Sequence, residues 1–146
     1  MSEKEDWLYN INDAKIVVKP WGREIWLNYR AGEEVGEIEK RYVMKMLEIN
    51  AGTRMSFQHH SNKREINYLL AGKVEAWYEK DSGEIEKRIV EAGGLWEIIP
   101  PKKHRTIALE DSVIIECSTP EVDDVIRHED DVGRGSGRIP SEHKSS

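Results

Sequence analysis

Only one cysteine, Cys117, occurs in the 146 residues, so no disulfide can close within the chain. The fold must then be held by a buried core, and the near-absence of thiols agrees with a reducing compartment. A lone thiol in an apolar strand is inert packing unless something lowers its pKa, so Cys117 carries no chemistry in this reading. Long apolar runs are also missing, and nothing approaches the ~18 residues that a spanning helix needs. No membrane association is expected. Nor is there an excess of positive charge: 22 Lys and Arg stand against 28 Asp and Glu, for a formal net charge of -6. That balance argues against nonspecific nucleic-acid binding, which rests on clustered cations releasing counterions from phosphates. The first six residues are polar and acidic with no apolar stretch behind them, so no secretory signal is expected and the expected location is cytoplasmic.

What remains is a soluble composition, 38% hydrophobic and 34% charged, at a length suited to one domain. Short segments rich in Ile, Val, Leu, Tyr and Trp alternate with turn residues, which predicts an all-β sandwich or barrel. The expected strands are 24–27, 41–49, 55–58, 66–70, 73–79, 85–90, 95–99, 106–110 and 112–117. Asp81-Ser82-Gly83 and Ala92-Gly93-Gly94 supply turn positions, while Asn50-Ala51-Gly52 and Ala71-Gly72 break strands sharply. The segment 7–18 reads as a covering strand or short helix. Residues 120–134 carry Val122, Val125 and Ile126 at a spacing compatible with a short helix laid on the barrel. The division expected is an N-terminal extension over 1–17, the barrel domain over 18–134 and a flexible tail over 135–146, the tail having too little apolar content to offset its ordering entropy.

The chemistry concentrates between Gly52 and Gly72. If the chain is extended before His60, Gln58 and His60 share one face of a strand and His59 points the other way, because side-chain direction repeats every two residues. A short loop then reverses the chain, and Glu65 opens the next strand beside them. Farther on, the Pro100-Pro101 turn delivers His104 at the start of another strand. Two imidazoles, a carboxylate and an amide oxygen suit one borderline divalent ion: Zn²⁺ in first place, with Mn²⁺, Fe²⁺, Co²⁺ or Ni²⁺ as alternatives. Beside these donors lie two basic clusters, Lys63-Arg64 and Lys102-Lys103-His104-Arg105, suited to a small anion. Lys45, on an apolar strand, is a candidate to face the cavity.

These residues resemble a known family. The spacing of the glycine, His60, Glu65 and Gly72 is similar to the first cupin motif, with Gln58 in place of its first histidine, and 94–104 resembles the second. Lys19-Pro20-Trp21-Gly22, 56–60, Ile99-Pro100-Pro101 with His104-Arg105, and 123–127 leading to Glu129-Asp130 and Gly133-Arg134 resemble type II mannose-6-phosphate isomerases. In that family the cupin domain is often fused behind a guanylyltransferase, which this sequence lacks. The resemblance covers about residues 18–134. It implies a cupin jelly-roll barrel, a metal held by Gln58, His60, Glu65 and His104, and aldose-ketose isomerisation of a phosphorylated sugar through an enediol(ate). Arg105, Lys63 and Arg64, in that order, are the expected phosphate contacts, and Lys45 and Lys103 the candidates for proton transfer. A homodimer is expected from the apolar outer faces of the early strands. The surroundings depart from the family: Lys63 stands where an arginine is usual, Asn67 where a tryptophan is, and Val132 where an aromatic is. The loop holding Lys102-Lys103 is one residue short. Such a pattern also fits a non-catalytic metal cupin that binds a sugar or sugar nucleotide, or an oxygenase using the same barrel.

Overall fold

The structure, a computed structural model, describes residues 7–34, 40–137, 139 and 142. After a 3-10 turn over Ile11–Asp13 come eleven strands: β1 (Ala14–Lys19), β2 (Gly22–Arg30), β3 (Val43–Ile49), β4 (Phe57–His59), β5 (Glu65–Ala71), β6 (Lys73–Glu79), β7 (Ile85–Glu91), β8 (Leu95–Ile98), β9 (His104–Ala108), β10 (Ser112–Ser118) and β11 (Ile126–Glu129). They form a six-stranded sheet, β1-β2-β3-β10-β5-β8, facing a five-stranded one, β11-β4-β9-β6-β7. All pairings are antiparallel, as a jelly roll requires.

Alternation explains which face each strand buries. In β5, Glu65, Asn67 and Leu69 are buried while Ile66, Tyr68 and Leu70 face outward; in β3, Val43, Lys45, Leu47 and Ile49 are buried. The apolar inward residues gather into two clusters. One holds Trp21, Leu47, Ile49, Leu69, Val74, Ala108 and Ile114. The other joins Val17, Trp26, Tyr29 and Val43, with Val122 packed against it. Each fully buried aliphatic side chain contributes roughly 1.5–3 kcal/mol. Between the clusters the inward positions turn polar, and there the cavity lies.

Gly72 turns β5 into β6 at φ +94, and a Cβ there would stand 2.3 Å from Ser112 Oγ and 2.5 Å from the Asp111 carbonyl oxygen. Only glycine fits both the backbone and the space.

Of the two elements expected beside the barrel strands, one is found and one is replaced. Residues 14–19 and 22–30 pair as a long hairpin, so the expected covering element is a strand. At the other end the expected short helix is absent among the described residues, and β11 pairs with β4 instead. The cause is the edge of the five-stranded sheet: β4 is three residues long, and β11 satisfies main-chain groups that would otherwise be left open. The expected flexible tail lies partly outside the described residues. Within it, Gly137 N–H donates to the Val125 carbonyl at 2.8 Å, and Glu142 reaches back to Lys19. Among the described residues, no helix is long and apolar enough to cross a membrane.

Candidate metal centre

The register places two inward rows opposite each other. On the six-stranded sheet, Trp26 pairs with Lys45, Lys45 with Glu116, Glu116 with Asn67, and Asn67 with Trp96. On the five-stranded sheet, Arg127 pairs with Gln58, Gln58 with His104, and His104 with Tyr78. Partners directly across an antiparallel pair share a face, so each row lines the same cavity.

Three donors converge there. His60, Glu65 and His104 are all buried, and each offers a ligand atom within 4.8 Å of the others. His60 Nδ1 bonds the Asp124 carbonyl oxygen at 2.6 Å, and His104 Nδ1 bonds that of Lys102 at 3.0 Å. A carbonyl only accepts, so each Nδ1 must carry the proton. In the neutral ring the Nε2 lone pair is then free. Those lone pairs face Glu65 Oε1, 3.0 Å from His60 Nε2 and 4.0 Å from His104 Nε2. Acceptors pointed at one another inside a barrel need a cation or a proton between them, and main-chain partners fixing Nδ1 are what histidine ligands ordinarily have. Burial, with His60 alongside, pushes the His104 imidazole down to about 4 against the pull of Glu65, leaving it neutral near pH 7. Burial would raise the Glu65 carboxyl, but Lys63 and the two histidines outweigh it and hold Glu65 ionised, well below its usual range. This group could hold a metal ion. Gln58 lines the same cavity; its Oε1 accepts from Ser56 Oγ at 2.5 Å, and an amide oxygen retains a second lone pair.

Asp124 braces the loop between β4 and β5. Its carboxylate accepts from the N–H groups of Ser61, Asn62 and Lys63 at 3.0, 2.6 and 3.0 Å. Burial works against ionisation there, and these three N–H groups outweigh it, so the Asp124 carboxyl is lowered.

Beyond the donors runs a chain of buried charge. Lys63 Nζ lies 3.8 Å from Glu65 Oε1 and 3.2 Å from Glu116 Oε2. Lys45 Nζ lies 3.3 Å from Glu24 Oε1 and 4.3 Å from the centre of the Trp26 ring, whose Nε1–H donates to Glu24 at 2.8 Å. Burial and the nearby Glu65 raise the Glu116 carboxyl, with Lys63 and Lys45 opposing. Glu24 goes the other way: burial would raise it, but Lys45, Lys19 and the Trp26 hydrogen bond hold it at about 2.

The structure thus brings Gln58, His60, Glu65, His104, Lys45 and Lys63 to one cavity. It does not bring the other expected residues to the donors. Arg105 borders the same cavity, but it follows His104 and its side chain leaves the opposite face of β9, where the guanidinium lies 5.4 Å from the Trp77 ring and donates to the Met55 carbonyl. Arg64 is exposed beside Glu97, at 3.4 Å. Lys103 is not a cavity-lining residue, and its charge is felt by His128 on the outer face. Charged cavity residues given no role from the sequence are Lys19, Glu24, Glu116, Asp123, Arg127 and Arg134. The signal for Glu116 was present: it follows Ser112 and Ile114 on the buried face of an apolar strand, where an unpaired carboxylate would be costly.

Among solved structures, the chain superposes on oxalate decarboxylase from Bacillus subtilis with a TM-score of 0.65 at 15% identity, covering 82% of this chain and 31% of that one. An RmlC-like cupin from Shewanella frigidimarina gives 0.61 at 13% identity, over 81% and 94% of the two chains. KdgF from Halomonas sp. gives 0.60 at 19%, over 80% and 97%. The chain therefore spans about a third of the oxalate decarboxylase and nearly all of the other two. At these identities the likeness is one of fold, and the fold is the cupin jelly roll. No protein-family model and no curated protein matches the sequence.

Proposed function

We propose that this protein is a metal-dependent cupin enzyme that interconverts the aldose and ketose forms of a phosphorylated sugar, most simply mannose 6-phosphate and fructose 6-phosphate. The observation that carries the reading is the convergence of His60, Glu65 and His104 within 4.8 Å inside a polar cavity. These three with Gln58 would hold one divalent ion, Zn²⁺ first, which when bound would polarise the oxygens on adjacent sugar carbons.

The chain's own residues supply the rest. Isomerisation moves a proton between neighbouring carbons, which calls for a carboxyl group able to both accept and release it. Glu116, on the cavity wall with its carboxyl raised by burial, fits that role better than the pocket lysines. Lys63 orients it at 3.2 Å, and Lys45, held by Glu24, presents its ammonium to developing charge on a substrate oxygen. Trp21, Trp26 and Trp96 line the same space and limit water. Lys103 does not line that space, and Arg105 borders it with its guanidinium held against Trp77 and the Met55 carbonyl, so the reading gives proton transfer to Glu116 and charge stabilisation to Lys45.

The test is purified protein loaded in turn with Zn²⁺, Mn²⁺, Co²⁺ and Ni²⁺ and assayed on aldose phosphates. Turnover with at least one metal is expected. Absence of product from every one of them overturns the isomerase reading. A second reading, a metal cupin that binds a sugar without converting it, draws on the fact that Lys45 and Lys63 already have carboxylate partners. It is distinguished by saturable binding with no product.

We also propose that two copies pair through the outer face of the six-stranded sheet, where Ile16, Met44, Ile66, Tyr68 and Leu70 are exposed.

A further inference from the structure

Three cations stand at the cavity mouth, on the side of β1, β11 and the segment after it. Arg127 is directly across from Gln58 in the β4–β11 register and shares its inward face. Its Nη1 donates to the main-chain oxygens of Gly135 and Gly137, while its Nε is buried with no hydrogen-bond partner. Burial and the neighbouring Arg134 lower its guanidinium, with Asp130, Glu142 and Glu24 opposing. Arg134 is gripped by Asp130, Nη2 to Oδ1 at 2.8 Å, and reaches Glu142 Oε2 with Nη1 at 3.0 Å. Lys19, the last residue of β1, places Nζ 2.6 Å from the other oxygen of the same carboxylate, Glu142 Oε1.

Glu142 therefore spans two cations with its two oxygens, and its side chain is only 11% exposed. Glutamate side chains are ordinarily solvated. This one is drawn into the mouth of a cavity where two cations otherwise lack a carboxylate: among the described residues, Lys19 has no other carboxylate at ion-pair distance, and Arg127, held by main-chain oxygens, has none. A carboxylate bridging Lys and Arg with two oxygens is what a phosphate or a sugar carboxylate does when it binds.

We propose that Lys19, Arg127 and Arg134 form an anion subsite for the charged end of a substrate, and that Glu142 occupies it in the free protein as a tethered competitor. The ligand class is a sugar bearing a phosphate or a carboxylate, oriented so that its neutral end reaches the His60–Glu65–His104 donors. The anion part stands on these residues alone; the sugar part rests on the reading given under Proposed function. Four residues lie between Glu142 and Gly137, which bonds Val125, and so short a tether keeps its carboxylate at an effective concentration on the order of millimolar. An incoming anion must displace it, so the tail weakens binding of every anion by the same factor.

The experiment titrates inorganic phosphate into the metal-loaded full-length protein at fixed ionic strength, followed by calorimetry. Glu142→Gln should bind phosphate about tenfold more tightly than the unaltered chain, Glu142→Asp should fall between them, and Glu142→Gln with Lys19→Gln should lose the gain. Melting temperatures check that each variant is folded. Equal phosphate affinity in the unaltered chain, Glu142→Gln and Glu142→Asp overturns the subsite, as does a gain that survives Lys19→Gln. A parallel series with mannose 6-phosphate, a hexuronate and mannose separates phosphate from carboxylate ligands; mannose should not respond to Glu142→Gln. If phosphate binding follows the forecast while no aldose phosphate is converted, the subsite stands and the isomerase reading falls. Turnover unaffected by Glu142→Gln, Lys19→Gln and their combination gives the reverse.

Discussion

Lys63 and Glu116 form an ion pair of 3.2 Å within the barrel, both side chains less than a tenth exposed. Glu65 lies on the far side of the same ammonium, at 3.8 Å. Burial would lower the Lys63 pKa, but Glu116 and Glu65 outweigh it and raise it. The ammonium is therefore shared between the carboxylate of the metal centre and the one assigned to proton transfer.

Removing the shared cation leaves two buried carboxylates facing each other. Lys63→Met should destabilise the metal-free protein by roughly 3–5 kcal/mol, the usual consequence of breaking a buried pair from one side. Lys63→Met with Glu116→Gln should recover much of that, because the second change deletes the uncompensated charge. Urea unfolding of the single and double variants measures both, and equal stability of the two would contradict the pairing.

Glu24 sets a pH limit. Its carboxyl titrates at about 2 in the folded chain against an ordinary 4.5. A depressed carboxyl contributes stability that is present above the ordinary value and is lost as pH falls toward the folded value, here from about 4.5 to 2. The full difference corresponds to roughly 3 kcal/mol. Glu24→Gln should be less stable than the unaltered chain at pH 7 and should lose less stability between pH 5 and 3. Unfolding midpoints across that range are the measurement.

The convergence of these donors was legible in the sequence because strand alternation is a local rule: Gln58 and His60 share a face, and Glu65 and His104 each open a strand. Applied to His104 and Arg105, the same rule puts Arg105 on the far face of β9, where it lies against Trp77 and away from the donors. Basic clustering in the sequence suggested the phosphate site, but neighbours in a strand point in opposite directions. Three further cations that reach the cavity, Lys19, Arg127 and Arg134, come from segments far apart in the chain, and only the pairing of β11 with β4 brings Arg127 beside Gln58. That strand was hidden because a lone four-residue segment has too few positions for its period to show, and its strand character comes from the open edge of β4.

Asp124 offers a test of the centre that leaves every donor in place. Asp124→Ala removes the acceptor for three N–H groups of the loop joining Gln58 and His60 to Glu65. The Asp124 carbonyl that holds His60 Nδ1 sits on the same residue, so the loosened loop also loosens the imidazole. Metal affinity should fall by about 10–100-fold, the usual effect of losing outer support, whereas Glu65→Gln or His104→Ala should abolish stoichiometric binding. Elemental analysis after dialysis against a graded chelator series distinguishes these outcomes. Unchanged affinity in Asp124→Ala would show that the loop does not position the donors.

The outer face of the six-stranded sheet yields the last test. Met44, Ile66 and Cys117 lie in one row across β3, β5 and β10, and Tyr68 pairs with Leu95 in the next. Leu70 on β5 is 48% exposed and Leu95 on the edge strand β8 is 66% exposed, so apolar side chains run from β3 across β10 and β5 to that edge. A contiguous apolar patch of this kind is uncommon on a monomer, and a stable pair needs about 800 Å² from each partner, an area a six-stranded sheet can supply. Sedimentation should give twice the chain mass. Ile66→Asp with Tyr68→Asp places two carboxylates in the contact and should yield single chains that still bind one metal ion, because both side chains point away from Glu65 and Asn67. A single-chain mass for the unaltered protein at micromolar concentration would remove the pairing, and loss of metal in the double variant would mean that the two faces of β5 are not independent.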